Sequence, residues 1–261
     1  MRETILLAEW RAAGPAHEQD WSPLWYCPPI QCEPNPSVLK GDPQFCVCPA
    51  RMSHRKLPRE FYTRANVLTL ARQLLGQMLV VPAQDGTHVS GTIVETEAYR
   101  GPEDRASHAY EGRRTSRTET MYQIGGTAYV YFVYGMYYQF NVVTNVNEIP
   151  HAVLVRALEP LEGIELMRQR RPGQPDHNLT NGPGKLCIAL GIDRELDRAD
   201  LLGDRVWIEE GESRISPSAI ASGPRIGVDY AEEWAEKPWR FWIRNNPFIS
   251  RRDNSAPNLN H

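Results

Sequence analysis

At 261 residues the chain can bury a core as one large domain or two small ones. Its 41% hydrophobic and 23% charged residues match an ordinary soluble protein, and no apolar run approaches the roughly 20 residues of a membrane-spanning helix. A net charge of -3 excludes a global electrostatic pull toward nucleic acid, so any such binding must rest on local basic patches.

Residues 1–55 hold 8 of the 21 prolines and no long periodic run. They read as a disordered arm, because such a segment cannot offset its ordering entropy by apolar burial. Trp10, Trp21, Trp25 and Tyr26 are unusual for disorder, and the alternative is that translation begins at Met52. Ile5–Ala8 is too short for the apolar core of a signal peptide, which points to an intracellular protein. Cys27, Cys32, Cys46 and Cys48 lack the close pairing of zinc ligands, so no metal is expected, and Cys187 sits in an apolar context as a core residue.

The folded domain is expected over 56–261. Val67, Leu70, Ala71, Leu74 and Leu75 recur at helical spacing, predicting an amphipathic helix over 64–76. Residues 78–81 form a short strand, and Asp85-Gly86 turns it into a hairpin with 88–98. Alternation along that second strand puts Glu95, Glu97 and Tyr99 on one face and Val94, Thr96 and Ala98 on the other. Residues 100–120 form a long loop, of a length that in compact domains often carries function. Strands follow at 127–134, 136–145 and 152–158. Pro160 opens a helix running to about Arg171. After a polar loop over 172–182, Gly182-Pro183-Gly184-Lys185 opens a short helix whose N-terminus could hold an anion. Late strands are expected at 206–208, 224–228 and 239–243, with a helical turn at 231–235. Adjoining strands with helices outside their series predict a single α+β domain with a largely antiparallel sheet flanked by helices.

Chemistry concentrates between Val94 and Asn141. Glu97, on a strand beside a flat aromatic, is suited to activating water, although a surface glutamate paired with a nearby arginine is the simpler reading of composition alone. Glu95 on the same face lies roughly 6.5–7 Å away, within the span of the two acids of an inverting glycosidase. Tyr99, Tyr129 and Tyr131 can stack on a planar ligand or pack as core. Tyr134 precedes a turn glycine and is therefore presented at a tip, where contact with a partner explains it better than burial. A lone loop histidine such as His108 is usually structural. Arg156 and Asn141 interrupt apolar strands, which is costly unless they serve a polar pocket. Arg105, Arg113, Arg114 and Arg117 form one candidate basic patch, and Arg168, Arg170 and Arg171 another.

These residues also carry a resemblance. Val94-Glu95-Thr96-Glu97-Ala98-Tyr99, then Gly101-Pro102-Glu103-Asp104 and His108, resemble the alkyladenine (3-methyladenine) DNA glycosylase family. So do the runs from Tyr129 to Tyr137, from Arg156 to Gly163, and from Gly182 to Cys187. The likeness extends in order from about Leu57 to Ser250 and implies a single mixed domain with an antiparallel sheet. It implies an enzyme that flips a damaged purine from the duplex and hydrolyses its N-glycosidic bond. On this resemblance Glu97 is the general base, and Arg156 positions the water beside the main-chain carbonyl of Ile226. Tyr99, His108 and Tyr131 would sandwich the base, Tyr134 fill the gap in the duplex, and Asn141 clash with the exocyclic amine of guanine. Arg113, Arg117 and Lys185 would contact phosphates without reading sequence. Tyr138, Gln139 and the loop from Asn145 to His151 depart from the family and border the pocket, bearing on lesion preference.

The expected activity is thus a monofunctional glycosylase, lacking a lysine nucleophile at the site and needing no metal or cofactor. Its partner would be double-stranded DNA with alkylated or deaminated purines, bound by a monomer. The expected location is the cytoplasm, on the nucleoid in a bacterium, or the nucleus in a eukaryote. The alternatives are a carbohydrate or nucleoside hydrolase using Glu95 and Glu97, and a non-catalytic module that binds damaged DNA.

Overall fold

The computed structural model of the protein describes residues 55–83 and 85–251, so the expected arm, its four cysteines and the alternative start at Met52 lie outside the described residues. Among the described residues no helix is long and apolar enough to cross a membrane. The fold is α+β, built on one eight-stranded sheet in which every pairing is antiparallel. Its strands are β1 (Met78–Pro82), β2 (His88–Arg100), β3 (Ala128–Val133), β4 (Tyr137–Thr144), β5 (His151–Glu162), β6 (Trp207–Glu209), β7 (Ile220–Gly223) and β8 (Arg240–Ile243). The main path runs β3-β4-β5-β2-β1-β6, and β8, with β7 beside it, pairs with β2 next to β1.

Short helices cover the sheet: α1 (Arg59–Tyr62), α2 (Val67–Leu74), α3 (Ile164–Arg170) and α4 (Pro183–Leu190). In α2, Val67, Leu70, Ala71 and Leu74 are buried against the sheet, as their spacing requires. The helix is shorter than the expected 64–76. Asn66 caps it by accepting from the amides of Leu68 and Thr69, and Leu75 has already turned to extended geometry.

The alternation expected for β2 fails at one residue. Ile93 stands opposite Leu158, Glu95 opposite Ala157 and Thr96 opposite Val155, leaving Val94 and Arg156 without register partners. These are matched bulges, one on each strand, and a bulge inverts the inward-outward phase beyond it. Ile93 and Ala98 therefore both enter the main core despite their opposite parity, and Thr96 Oγ1 donates to the Ala71 carbonyl of α2. Val94 instead packs with Ala157, Ala221 and Trp242 in a separate cluster, contrary to its expected place beside Thr96 and Ala98. The same slip turns Arg156 toward Glu95 and Glu97.

Two other expectations change. Pro160 lies within β5 opposite Gly91, not at a helix start, and α3 begins only after the left-handed Gly163. Beyond Leu154 only β2 accompanies β5, so the missing proline N–H costs no ladder bond. The segment 224–228 is irregular, the strand having ended at Gly223. Cys187 is buried in the main core as expected.

Candidate active site

Glu97 is fully buried, and both of its carboxylate oxygens are engaged. Oε1 accepts from the Ile226 amide at 2.8 Å and faces a guanidinium nitrogen of Arg156 at 3.2 Å. Oε2 accepts from the Tyr99 hydroxyl at 2.8 Å. Burial raises the Tyr99 pKa well above the ordinary phenol value, with the Glu97 charge reinforcing it, so the phenol keeps its proton and donates. Burial opposes the charge on Arg156, but the carboxylates of Glu97 and Glu95 outweigh it and its pKa rises. Of the three groups around the Glu97 carboxylate, Oε1 meets two and Oε2 one.

Glu95 is equally buried but differently occupied. It accepts from the Ser250 amide at 2.6 Å and from Ser250 Oγ and Arg240 at 3.0 Å, with Arg156 at 3.5 Å. Ser250 and Arg240 do not line the cavity beside Glu97, whereas Tyr99, Arg156 and Ile226 do, which sets Glu95 apart and disfavours the two as paired acids.

Beside Glu97 lies a cavity of about 140 Å³ that brings together Tyr99, His108, Tyr131, Tyr134, Asn141, Arg156 and Ile226. Seven of the eleven expected site residues thus line it, and Glu97 is bonded to three of these, Tyr99, Arg156 and Ile226. His108 Nδ1 hydrogen-bonds the Tyr129 hydroxyl at 2.9 Å, and its ring meets Tyr131 edge-on at 4.6 Å. Burial, aided by Arg117 and Arg113, pulls the His108 pKa down to about 4, so the imidazole is neutral at physiological pH. A neutral ring between tyrosines does not repel a cationic heterocycle. Asn141 is buried and donates from Nδ2 to the Tyr129 carbonyl at 3.2 Å. Ile226 meets Glu97 through its amide, a contact beyond the carbonyl role that the resemblance implies.

Tyr134 stands at the tip of the β3–β4 hairpin, 76% exposed, and it and Gly135 have φ of 54° and 66°. Consecutive positive φ values are those of a tight turn matched to strand twist, and Gly135 relieves half of its steric cost. Met136 is also exposed, so the tip projects an apolar wedge.

The basic residues divide. Arg105, Arg113 and Arg117 line a groove of about 490 Å³ that shares His108 and Tyr230 with the cavity. Arg105 and Arg114 are tied to carboxylates, of Glu232 and of Glu119 and Glu148 respectively. Lys185 donates to Asn178 at 2.5 Å and to Asn181 at 2.8 Å, outside the cavity lining. In the second patch Arg168 pairs with Glu165 and Asp176, while Arg170 and Arg171 cap the Ala189 and Leu179 carbonyls. That cluster is structural. Of the departures from the family pattern, Gln139 lines the cavity, whereas Tyr138 packs on the main core and the loop 145–151 stays outside the lining.

Sequence reasoning missed the supports behind the site. Arg225 and Asp104 form a fully buried bidentate pair at 2.5 and 2.8 Å. Arg225 also donates to the Ala98 carbonyl and stacks on Tyr99 at 4.8 Å. It lies in the irregular segment after β7, where no periodicity marks it. Ser250 and Tyr230 were also missed, as was Arg240, which lies in an expected strand but whose partner Glu95 is 145 residues away, and a cysteine- or histidine-based metal site is absent among the described residues.

Residues 60–247 match the family described as methylpurine-DNA glycosylase (MPG). The chain belongs to the methylpurine-DNA glycosylase family. It is 51% identical over 205 residues to a protein of Bacillus cytotoxicus, covering 75% of this chain and 100% of the relative. A Clostridium acetobutylicum protein is 49% identical over 203 residues, 75% of this chain and 97% of its own, and one from Desulfitobacterium hafniense is 50% identical over 204, 75% and 98%. All three carry the name "Putative 3-methyladenine DNA glycosylase". The family resemblance stated from the sequence is therefore borne out, and with it a DNA N-glycosylase, a hydrolase of N-glycosyl bonds that acts in the repair of alkylated DNA. In this methylpurine-DNA glycosylase fold, β2, β5 and the 224–228 segment meet at Glu97.

Proposed function

We propose that this glycosylase flips 3-methyladenine-type purines out of duplex DNA into the aromatic cavity and hydrolyses their N-glycosidic bond with a water activated by Glu97. The observation that carries this is the buried Glu97 carboxylate, held by Arg156, the Ile226 amide and the Tyr99 hydroxyl, three residues that line a cavity sized for a flat ring. The carboxylate takes a proton as the water oxygen attacks C1′, and the bonding electrons leave with the base. An alkylated purine is cationic and accepts that pair readily, and the faces of Tyr99 and Tyr131 favour the cation before it leaves. His108 completes the sandwich, and Asn141 stands where the exocyclic amine of guanine would clash. Arg156 holds the water beside Glu97, together with the main chain at Ile226.

Outside the cavity, Tyr134 occupies the gap left by the flipped nucleotide, and Arg113, Arg117 and Lys185 contact phosphates. Lysine is absent from the cavity lining among the described residues, in keeping with a monofunctional enzyme that leaves an abasic site. The enzyme works as a monomer on DNA, without metal or cofactor, and serves base excision repair on the nucleoid of a bacterium. The reading is tested with Glu97→Gln. Release of 3-methyladenine from alkylated duplex should fall by about 10³-fold or more while lesion binding is retained. Cleavage at the native rate would remove Glu97 from the mechanism.

A further inference from the structure

The face of β4 that meets the cavity carries two amide side chains two residues apart, Gln139 opposite Tyr131 and Asn141 opposite Tyr129. Each is fixed from one side. The Tyr131 hydroxyl donates to Gln139 Oε1 at 2.6 Å, and Asn141 Nδ2 donates to the Tyr129 carbonyl at 3.2 Å. A carbonyl can only accept, so the Asn141 amide is held with Oδ1 on its free side. Gln139 is held the other way, with Nε2 free. Neither free atom is among the polar atoms sealed from solvent without a partner, although Asn141 itself is only 3% exposed. Both residues line the cavity, where these amide atoms are the ones left to meet a ligand. One strand face thus offers a flat ligand a donor nearer the hairpin tip and an acceptor nearer β5.

We propose that Gln139 is a specificity-determining residue, whose free amide N–H donates to a hydrogen-bond acceptor on the edge of the flipped base and so favours 6-oxo over 6-amino purines. The inference rests on the base-flipping reading of the cavity. Hypoxanthine presents a 6-oxo acceptor beside an N1–H donor, complementary to the Gln139 donor and the Asn141 acceptor. Adenine presents a 6-amino donor beside an unprotonated N1, the reverse order. A site built to hydrogen-bond one pattern leaves its own groups unpaired with the other. The effect should be largest for an uncharged base. A cationic 3-methyl base already leaves easily, whereas hypoxanthine leaves a glycosidic bond of ordinary strength and depends on how well it is held.

The experiment compares single-turnover excision of hypoxanthine and of 3-methyladenine from duplex DNA by the native protein, Gln139→Leu and Gln139→Glu. Gln139 is half-buried, and Gln139→Glu keeps an acceptor for Tyr131 while losing the free donor. Both variants should lose about tenfold or more on hypoxanthine and less than about threefold on 3-methyladenine. An equal loss on both bases would mean that Gln139 acts only by holding Tyr131, and would overturn the proposal. So would native hypoxanthine excision in Gln139→Glu, or native protein that releases 3-methyladenine but no hypoxanthine. Failure of the native protein to release either base would instead sink the parent reading of the cavity.

Discussion

The Ile226 amide donates to Glu97 Oε1 at 2.8 Å across 129 residues of sequence. Ile226 lies in an irregular segment and Glu97 in the longest strand, so nothing local aligns them. The alignment comes from Arg225. Its guanidinium spans the Ala98 carbonyl, the Asp104 carboxylate and the Trp234 carbonyl, and it fixes the next peptide N–H against the carboxylate.

Breaking that clamp should cost global stability. Asp104 and Arg225 have fully buried side chains, so Asp104→Ala strands a cation in a dry environment and should destabilise by about 3–5 kcal/mol. Denaturant unfolding reads the loss. Arg168→Ala, which breaks only exposed pairs, should leave the midpoint unchanged. A loss in Asp104→Ala no larger than in that control would show that the buried pair is not needed for the fold.

Arg156 separates two buried carboxylates. With its side chain 9% exposed and those of Glu95 and Glu97 at 0%, Arg156→Ala leaves Glu97 without its cationic partner while Arg240 still pairs with Glu95. A loss of about 3–5 kcal/mol is expected at neutral pH. It should shrink in Arg156→Ala/Glu97→Gln, which removes one of the charges. Additive losses in the double variant would speak against coupling through the arginine.

Tyr134 should matter for DNA and not for folding. At 76% exposure, Tyr134→Ala is expected to change stability by less than about 0.5 kcal/mol. Binding to lesion-bearing duplex should weaken much more than binding to single strands, where no stacked gap needs filling. Equal weakening on both, measured by fluorescence anisotropy, would argue against insertion.

His108 gives stability a pH dependence of known sign. Its pKa is about 4 in the fold against an ordinary value of 6.5, so the unfolded chain binds more protons between those values. Stability should therefore decline as pH falls from 6.5 toward 4, with no contribution from this group above 6.5. Urea midpoints of the native protein should fall over this window more steeply than those of His108→Gln. Parallel curves would place the histidine pKa near its ordinary value, and Arg117→Ala should raise it, as observed by NMR titration.

How much of this was legible beforehand follows from what is local. The α+β class, the β1–β2 hairpin at Asp85-Gly86 and the buried face of α2 follow from turn chemistry and periodicity, which act over a few residues. The tip position of Tyr134 follows from its neighbour Gly135. The misplaced polarity of Arg156 and Asn141 pointed to a pocket, and the Val94–Tyr99 motif carried the family. Strand alternation misplaced Val94, because a bulge on β2 answered by one on β5 is a property of the pair of strands. Helical reasoning misplaced Pro160, since the absence of a neighbour beyond Leu154 is visible only in the assembled sheet.

The sequence by itself determined the elements, the family and the residue types available for hydrolysis. Only the tertiary structure decided which carboxylate is bonded to residues of the cavity lining. Glu95 and Glu97 are indistinguishable by spacing, yet Glu95 is held by Ser250 and Arg240 away from the cavity lining, while Glu97 is held by Tyr99, Arg156 and Ile226, which line it. Ile226, Arg240 and Ser250 lie more than a hundred residues from the carboxylates they hold, and distant partners are brought together by the packing of the sheet.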